Sequence, residues 1–168
     1  PRWVEVALEL ERLRRAGRID RIGVTNFGTP ELAAMVDAGV PVFAHQLQYS
    51  LLDDRPEHGM VEYCRRHGIA LLCYGTVAGG LLSDRWLGAP APEEVLERPG
   101  VAAAIVGATS TRHLAAHAQV GALRLHAEDF ARLAQATARR RGPPGDVYTL
   151  ERDREGPHGR IMKYTLNR

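Results

Sequence analysis

Apolar positions along this chain recur with two different periods, and the changes of period mark out its elements. Val6, Leu10 and Leu13 stand one turn apart, which predicts an amphipathic helix over residues 4–15 with Gly17 as its stop. Ile19, Ile22 and Val24 mark a short strand over 19–24. Thr29-Pro30-Glu31 then reads as a helix start, with Thr29 as N-cap, Pro30 in the first turn and an acid beside the positive end. Leu32, Met35 and Val36 supply that helix's inner face, and Gly39 ends it. Residues 42–47 form the next strand. Asp53 or Asp54 can cap a helix that begins near Pro56, runs through Met60, Val61 and Cys64, and stops before Gly68. Residues 69–74 and 101–106 are unbroken apolar runs, as strands buried on both faces require. Two more helices are predicted, one from about Thr111 and one from about Ala127 to Arg140. From Gly142 onward the chain is rich in Gly, Pro and charge and reads as an extended tail.

Helices and apolar strands alternate through short connections, so the strands are predicted to be parallel and the fold α/β. Periodicity alone leaves both a barrel and an open doubly wound sheet standing. No GxGxxG opens any of the helices, so the second lacks its dinucleotide fingerprint.

Length narrows this further. With 168 residues the chain can build one core but falls short of the ~250 residues of a complete (β/α)8 barrel. It opens at Pro1 without a Met, so its natural start is expected upstream. No apolar run approaches the ~20 residues of a membrane span. The net charge of +2 is spread over alternating acids and bases, which argues against a nucleic-acid partner. Arg139-Arg140-Arg141, the one basic cluster, reads as cations at a helix C-terminus. Cys64 and Cys73 lack metal or CxxC spacing and read as buried thiols of a reducing, cytoplasmic compartment. The seven His form no metal-ligating pair, and the only lysine is Lys163.

Four stretches then resemble the aldo-keto reductase family: residues 17–27, ending Val24-Thr25-Asn26-Phe27; Gln46-Leu47-Gln48-Tyr49-Ser50-Leu51-Leu52; residues 72–82, with Tyr74-Gly75-Thr76 and Gly79-Gly80; and Ile105-Val106-Gly107-Ala108-Thr109-Ser110. They stand in the family's order and at nearly its spacing, and the resemblance covers roughly residues 1–150. It implies a (β/α)8 TIM barrel whose fifth to eighth strands are the four above, so that this chain supplies the C-terminal half over 1–141, followed by the tail at 142–168. In such barrels the active site lies at the C-terminal ends of the strands, where Asn26, Gln46 and Tyr74 fall.

The resemblance also implies a nicotinamide cofactor: NADP, with NAD as the alternative. Thr25, Asn26 and Gln46 would hold its carboxamide, since amide side chains offer both donor and acceptor. Tyr74 would stack on its ring. Gly75, Gly79 and Gly80 would let a loop lie close over the pyrophosphate, with Thr76 among the cofactor-binding residues. Gly107, Thr109 and Ser110 would meet the adenosine phosphate in a turn that binds it through backbone N–H groups, a hydroxyl and often a cation. Taken singly, Asn26 is a turn residue, Gln46 a strand polar and Tyr74 a core aromatic. It is their position at successive strand ends that favours the cofactor reading.

Three departures from the family qualify the picture. The Asp, Tyr, Lys and His of the family's catalytic tetrad come from the first half of the barrel. No residue here takes those roles, and His45, Tyr49 and Tyr74 match other positions. A segment before the last strand is expected to be missing near residues 92–95. The phosphate turn lacks the Arg that relatives often place near Thr109 and the Glu-Asn pair near Ala116-His117; Arg112 is the candidate substitute. Two functions follow. The intact protein is expected to be an NAD(P)H-dependent reductase of a small carbonyl substrate, or to run the reverse as an NAD(P)-dependent alcohol dehydrogenase. Alternatively, the chain is a catalytically inactive, cofactor-binding or regulatory half-barrel. Either way, half a barrel is expected to need its missing half or to self-associate.

Overall fold

Each helix hands the chain to the next strand through the same turn. In the computed structural model α1 (Arg2–Arg15), α2 (Thr29–Asp37) and α3 (Met60–His67) each end at a glycine with positive φ: Gly17 at 69°, Gly39 at 89° and Gly68 at 66°. The amide beyond each glycine reaches back to a helix carbonyl: Arg18 to Leu13, Val40 to Met35 and Ile69 to Cys64. Only glycine takes this left-handed bend without a Cβ penalty, which is why these positions read as stops in the sequence. The structure describes residues 1–76, 101–104, 115, 118–119, 122–138, 142–157 and 159–161.

Four strands follow, β1 (Ile22–Thr25), β2 (Val42–Gln48), β3 (Ala70–Tyr74) and β4 (Val101–Ala104). They form one sheet in sequence order, every neighbouring pair parallel. The register aligns Thr25 with Gln46, Gln46 with Leu72, and Gln48 with Tyr74. Strand alternation sends His45, Leu47, Leu71 and Cys73 to the opposite face, where all are fully buried. There Leu47, Leu71 and Cys73 join Leu32 and Met35 of α2 and Met60 and Cys64 of α3 in one core. The face bearing Thr25, Gln46, Gln48 and Tyr74 is open: Thr25 is exposed and the other three are half-buried.

Several local expectations shift. The first strand begins at Ile22 rather than Ile19. Thr29 is the first residue of α2 and not its cap; Gly28 takes the cap position without a side chain to offer. On α1 the packed face is not Val6–Leu10–Leu13. Val6 and Leu10 are exposed, while Ala7 and Glu11 are buried and Trp3 packs on Phe27 at 5.8 Å between ring centroids. A carboxylate on the packed face is tolerated because Arg14 and Arg15 both ion-pair with Glu11, holding its pKa down at about 2. The helix expected from Pro56 breaks in two at Gly59, whose φ of 145° separates a 3-10 turn (Arg55–His58) from α3. Beyond the sheet come α4 (Ala127–Thr137) and the short α5 (Thr149–Arg152). The cluster Arg139–Arg141, the expected gap near 92–95 and Lys163 lie outside the described residues.

The stretch that reads in the sequence as an extended tail folds back, over 142–157, onto the loops that follow β1 and β2. Asp146 accepts from the Thr29 backbone N–H at 2.8 Å and from its hydroxyl at 2.9 Å. It thereby caps α2 from 117 residues away and supplies the negative charge a helix N-terminus favours. Glu151 and Asp53 both chelate the buried Arg55 guanidinium, at 2.8 and 2.7 Å, and raise its pKa further. Arg152 pairs with Glu31 at 2.6 Å. Gly28 makes room for this return: a Cβ there would lie 3.4 Å from the Val147 carbonyl and 2.6 Å from Glu31 Oε2.

Candidate functional site

The loops after β1 and β3 converge at the C-terminal end of the sheet because two residues there take left-handed backbone. Asn26 has φ 59° and Gly75 φ 68°. Asparagine tolerates this conformation better than other side chains, and glycine adopts it freely. The Asn26 backbone N–H is tied to the Gln46 carbonyl at 3.1 Å, which fixes the turn to the neighbouring strand. At Gly75 a Cβ would stand 3.3 Å from the Gln48 side chain, so the loop after β3 passes close to β2.

The Asn26 side chain is the hub. Its Oδ1 accepts from the Tyr74 hydroxyl at 2.8 Å and from the Tyr148 hydroxyl at 2.7 Å; the Thr25 hydroxyl stands at 3.4 Å. A carbonyl oxygen has two lone pairs, and the two phenols fill them. The Tyr148 oxygen also accepts from the Gln48 backbone N–H at 3.2 Å. Burial pushes the Tyr148 phenol far above the usual tyrosine range, and the adjoining Tyr74 hydroxyl adds to the rise. It is therefore a hydrogen-bond donor at any physiological pH. Asn26 itself is exposed, and its Nδ2 amide makes no hydrogen bond among the described residues. The Gln46 carboxamide makes none among them either.

The structure thus brings Thr25, Asn26, Gln46 and Tyr74 to one end of the open face, with Gly75 and the buried Thr76 directly after β3. Gly79, Gly107, Thr109 and Ser110, with Gly80 and Arg112, lie outside the described residues. Sequence reasoning missed Tyr148. It stands in a segment without periodicity, and nothing local marks its partner 122 residues away. Gln48 lies within the Gln46–Leu52 motif, and the alternation of β2 places it on the same face as Gln46.

His45, one residue before Gln46, points to the other side. Its Nε2 accepts from the Phe27 N–H at 3.3 Å, and burial lowers its pKa to about 4 although Asp146 opposes the shift. It is a neutral core histidine. Cys64 and Cys73 are buried free thiols whose pKa values burial raises to about 12, so neither is a nucleophile. Among the described residues no group of His, Cys, Asp and Glu could hold a metal ion, and no helix is long and apolar enough to cross a membrane. A cavity of about 330 Å³ lies at the opposite, N-terminal end of the strands, lined by Arg14, Arg21, Val42, Phe43 and Ile69 among others. It is remote from the polar cluster.

Four parallel strands in sequence order, with helices packed behind and polar side chains gathered at the C-terminal strand ends, make the C-terminal half of a (β/α)8 barrel. The structure superposes on an aldo/keto reductase from Klebsiella pneumoniae in complex with NADP and acetate, with TM-score 0.69 and 22% identity, over 86% of this chain and 58% of that one. It superposes on the glycerol dehydrogenase AKR11B4 from Gluconobacter oxydans with TM-score 0.72 and 20% identity, over 85% and 56% of the respective chains. The sequence carries the assignment from fold to family. Residues 2–94, more than half of the chain, match the aldo/keto reductase family, and the chain belongs to it. Flagellar radial spoke protein 5 of Chlamydomonas reinhardtii is 38% identical over 78 residues, 46% of this chain and 15% of that protein. Aldo-keto reductase YhdN of Bacillus subtilis (strain 168) is 31% identical over 81 residues, 48% of this chain and 24% of that protein. The chain thus spans less than a third of the length of the curated relatives it matches.

Proposed function

We propose that this chain supplies part of the nicotinamide site of an NAD(P)H-dependent oxidoreductase that interconverts an aldehyde or ketone with its alcohol. The observation that carries the reading is the convergence of Thr25, Asn26, Gln46 and Tyr74 at the C-terminal strand ends, on the face a closed barrel would enclose. The donor set fits the group. The Nδ2 donor of the exposed Asn26, whose Oδ1 is already taken by Tyr74 and Tyr148, and the half-buried Gln46 amide, without a hydrogen-bond partner among the described residues, match the acceptor and donor of a carboxamide. The half-buried ring of Tyr74 can cover one face of a flat heterocycle and exclude water from it. Gly75 and Thr76 would adjoin the pyrophosphate, and Gly79, Gly107, Thr109 and Ser110 would complete the hold on the phosphates. A bound nicotinamide would supply or accept the hydride. The Klebsiella pneumoniae relative in complex with NADP favours NADP(H), with NAD(H) as the alternative. The reading carries with it a barrel portion over 1–141, a C-terminal segment over 142–168 and a cytoplasmic setting.

Proton transfer is the part of the reaction these residues do not provide. Hydride delivery to a carbonyl creates an alkoxide that needs a proton, and a free phenol of pKa ~10 donates poorly unless a nearby cation lowers it. The chain has no lysine before Lys163, and Tyr148 is shifted the wrong way by burial. The chain alone is therefore expected to bind cofactor without turning over substrate. NADPH titration tests the site: Asn26→Ala, Gln46→Ala and Tyr74→Ala should each weaken binding by about 1 kcal/mol, and three unchanged affinities would remove the assignment. One observation favours a second reading. A relative is named as a flagellar radial spoke protein, a name that states an assembly and no reaction. An intact protein that binds NADPH yet reduces none of a panel of activated aldehydes would favour that non-catalytic role.

A further inference from the structure

Asn26 can present either end of its amide to a ligand, and the two ends have opposite chemistry. Which one faces outward is decided by what holds the other. Two phenols meet at Oδ1, but they arrive differently. Tyr74 belongs to β3, beside the site. Tyr148 comes from the C-terminal segment and is buried to 7% exposure, with φ 63°, a left-handed conformation that a tyrosine adopts only under constraint. The constraint is on both sides of it. Asp146 is bound to Thr29, and Arg152 reaches the Asn26 carbonyl at 3.3 Å. The Gln48 N–H donates to the Tyr148 oxygen, which leaves the phenol proton to turn towards Asn26. Oδ1 is then the inward atom, and Nδ2, with both its protons, is the outward one.

From this geometry we infer that Tyr148 is a positioning residue for the cofactor: its hydroxyl locks the Asn26 amide so that the NH2 group, a pure donor, faces the oxygen of the incoming carboxamide. The inference rests on the nicotinamide reading of the site and adds to it a residue from the far end of the chain. It also gives the return of residues 142–157 a role in binding, since the segment that delivers Tyr148 is the one that caps α2 and pairs with Arg55.

The test is an NADPH titration of the full 168-residue chain by fluorescence, with a thermal melt of every variant. Tyr148→Phe keeps the ring and removes only the hydroxyl. It should weaken NADPH binding ~5-fold, the effect of one hydrogen bond, and should have no further effect when introduced into Asn26→Ala. Asn26→Asp keeps an acceptor for both tyrosines but replaces the outward donor by an oxygen, and it should weaken NADPH binding more than Tyr148→Phe does. A purely structural tyrosine would lower the melting temperature of Tyr148→Phe and leave the affinity of the folded protein unchanged; that result overturns the inference. So would an undiminished effect of Tyr148→Phe in the Asn26→Ala background. Asn26→Ala and Gln46→Ala separate the two levels. If they weaken binding while Tyr148→Phe does not, the site stands and the positioning role falls. If no chain or variant binds NADPH saturably, both fall.

Discussion

A histidine one residue away from a glutamine can serve an opposite purpose when strand alternation separates them. Gln46 lies on the open face with its amide uncommitted among the described residues, whereas His45 is fully buried behind the sheet with its pKa lowered to about 4. Burial disfavours the imidazolium, so the folded state resists a proton that the unfolded chain accepts near pH 6.5. The sign follows. Above that pH both states are neutral at His45 and stability is unaffected. As pH falls from 6.5 towards 4 the unfolded state binds the extra proton and stability drops, by up to about 3 kcal/mol. Urea denaturation at pH 7 and pH 4.5 should show this loss in the native chain. His45→Gln keeps an acceptor for the Phe27 N–H and should lose most of that pH dependence; an equal pH dependence in both would refute the assignment.

Among the elements, α2 shows how a helix can be built with its cap in another part of the chain. Gly28 at the cap position leaves the first backbone N–H groups without a local side-chain acceptor, and Asp146 provides one. The same carboxylate bonds the Thr29 hydroxyl and the Val147 N–H, so it joins the C-terminal segment to the helix in a single node. Asp146→Ala should lower stability by about 1–2 kcal/mol, the range for losing an N-cap, and should make residues 142–157 more open to limited proteolysis. Asp146→Asn keeps an oxygen acceptor without the charge and should recover more than half of the denaturation midpoint. Equal midpoints for the two would assign the effect to charge rather than to capping. The Arg55 node beside it is less forgiving. Arg55→Ala would leave Asp53 buried and uncompensated, a loss of about 3–5 kcal/mol, read as a shift in the same denaturation curve.

Taken whole, the sheet has features that a closed barrel would hide. β1 and β4 are its outer strands, and the face that carries the candidate site is half-exposed along Gln46, Gln48, Leu72 and Tyr74. Val6, Leu8, Leu10 and Phe43 are exposed apolar side chains. Open edges and uncovered apolar surface drive association. The 168-residue chain is therefore expected to self-associate, or to be stabilised by the other half of a barrel, and sedimentation showing a stable compact monomer would contradict this. At the same scale, NADPH consumption with a nitrobenzaldehyde should not exceed a no-protein control. Turnover would mean that a proton donor lies within these residues.

Much of the architecture was present in the sequence because it rests on local rules. Glycines at 17, 39 and 68 stop the helices through a left-handed bend that needs no tertiary partner. The apolar run at 69–74 specifies a buried parallel strand, which the structure places at Ala70–Tyr74, and the strand read at 42–47 is Val42–Gln48. Thr25, Asn26, Gln46 and Tyr74 were picked out by the family resemblance rather than by any local rule, and the structure brings them together at the strand ends. What periodicity misjudged was α1, where Val6 and Leu10 look like the packed face but Ala7 and the Arg-paired Glu11 are the buried side chains. The apolar spacing gives the helix but not the direction from which a neighbour arrives. The C-terminal segment lay further from reach. Pro, Gly and charge at 142–157 describe a stretch with no secondary-structure period, and its order comes from pairings such as Asp146 with Thr29, Glu151 with Arg55 and Tyr148 with Asn26, each about a hundred residues apart along the chain. Sequence patterns record the interactions that a few neighbouring residues can complete. Contacts closed across such a distance exist only once the sheet has brought both ends together.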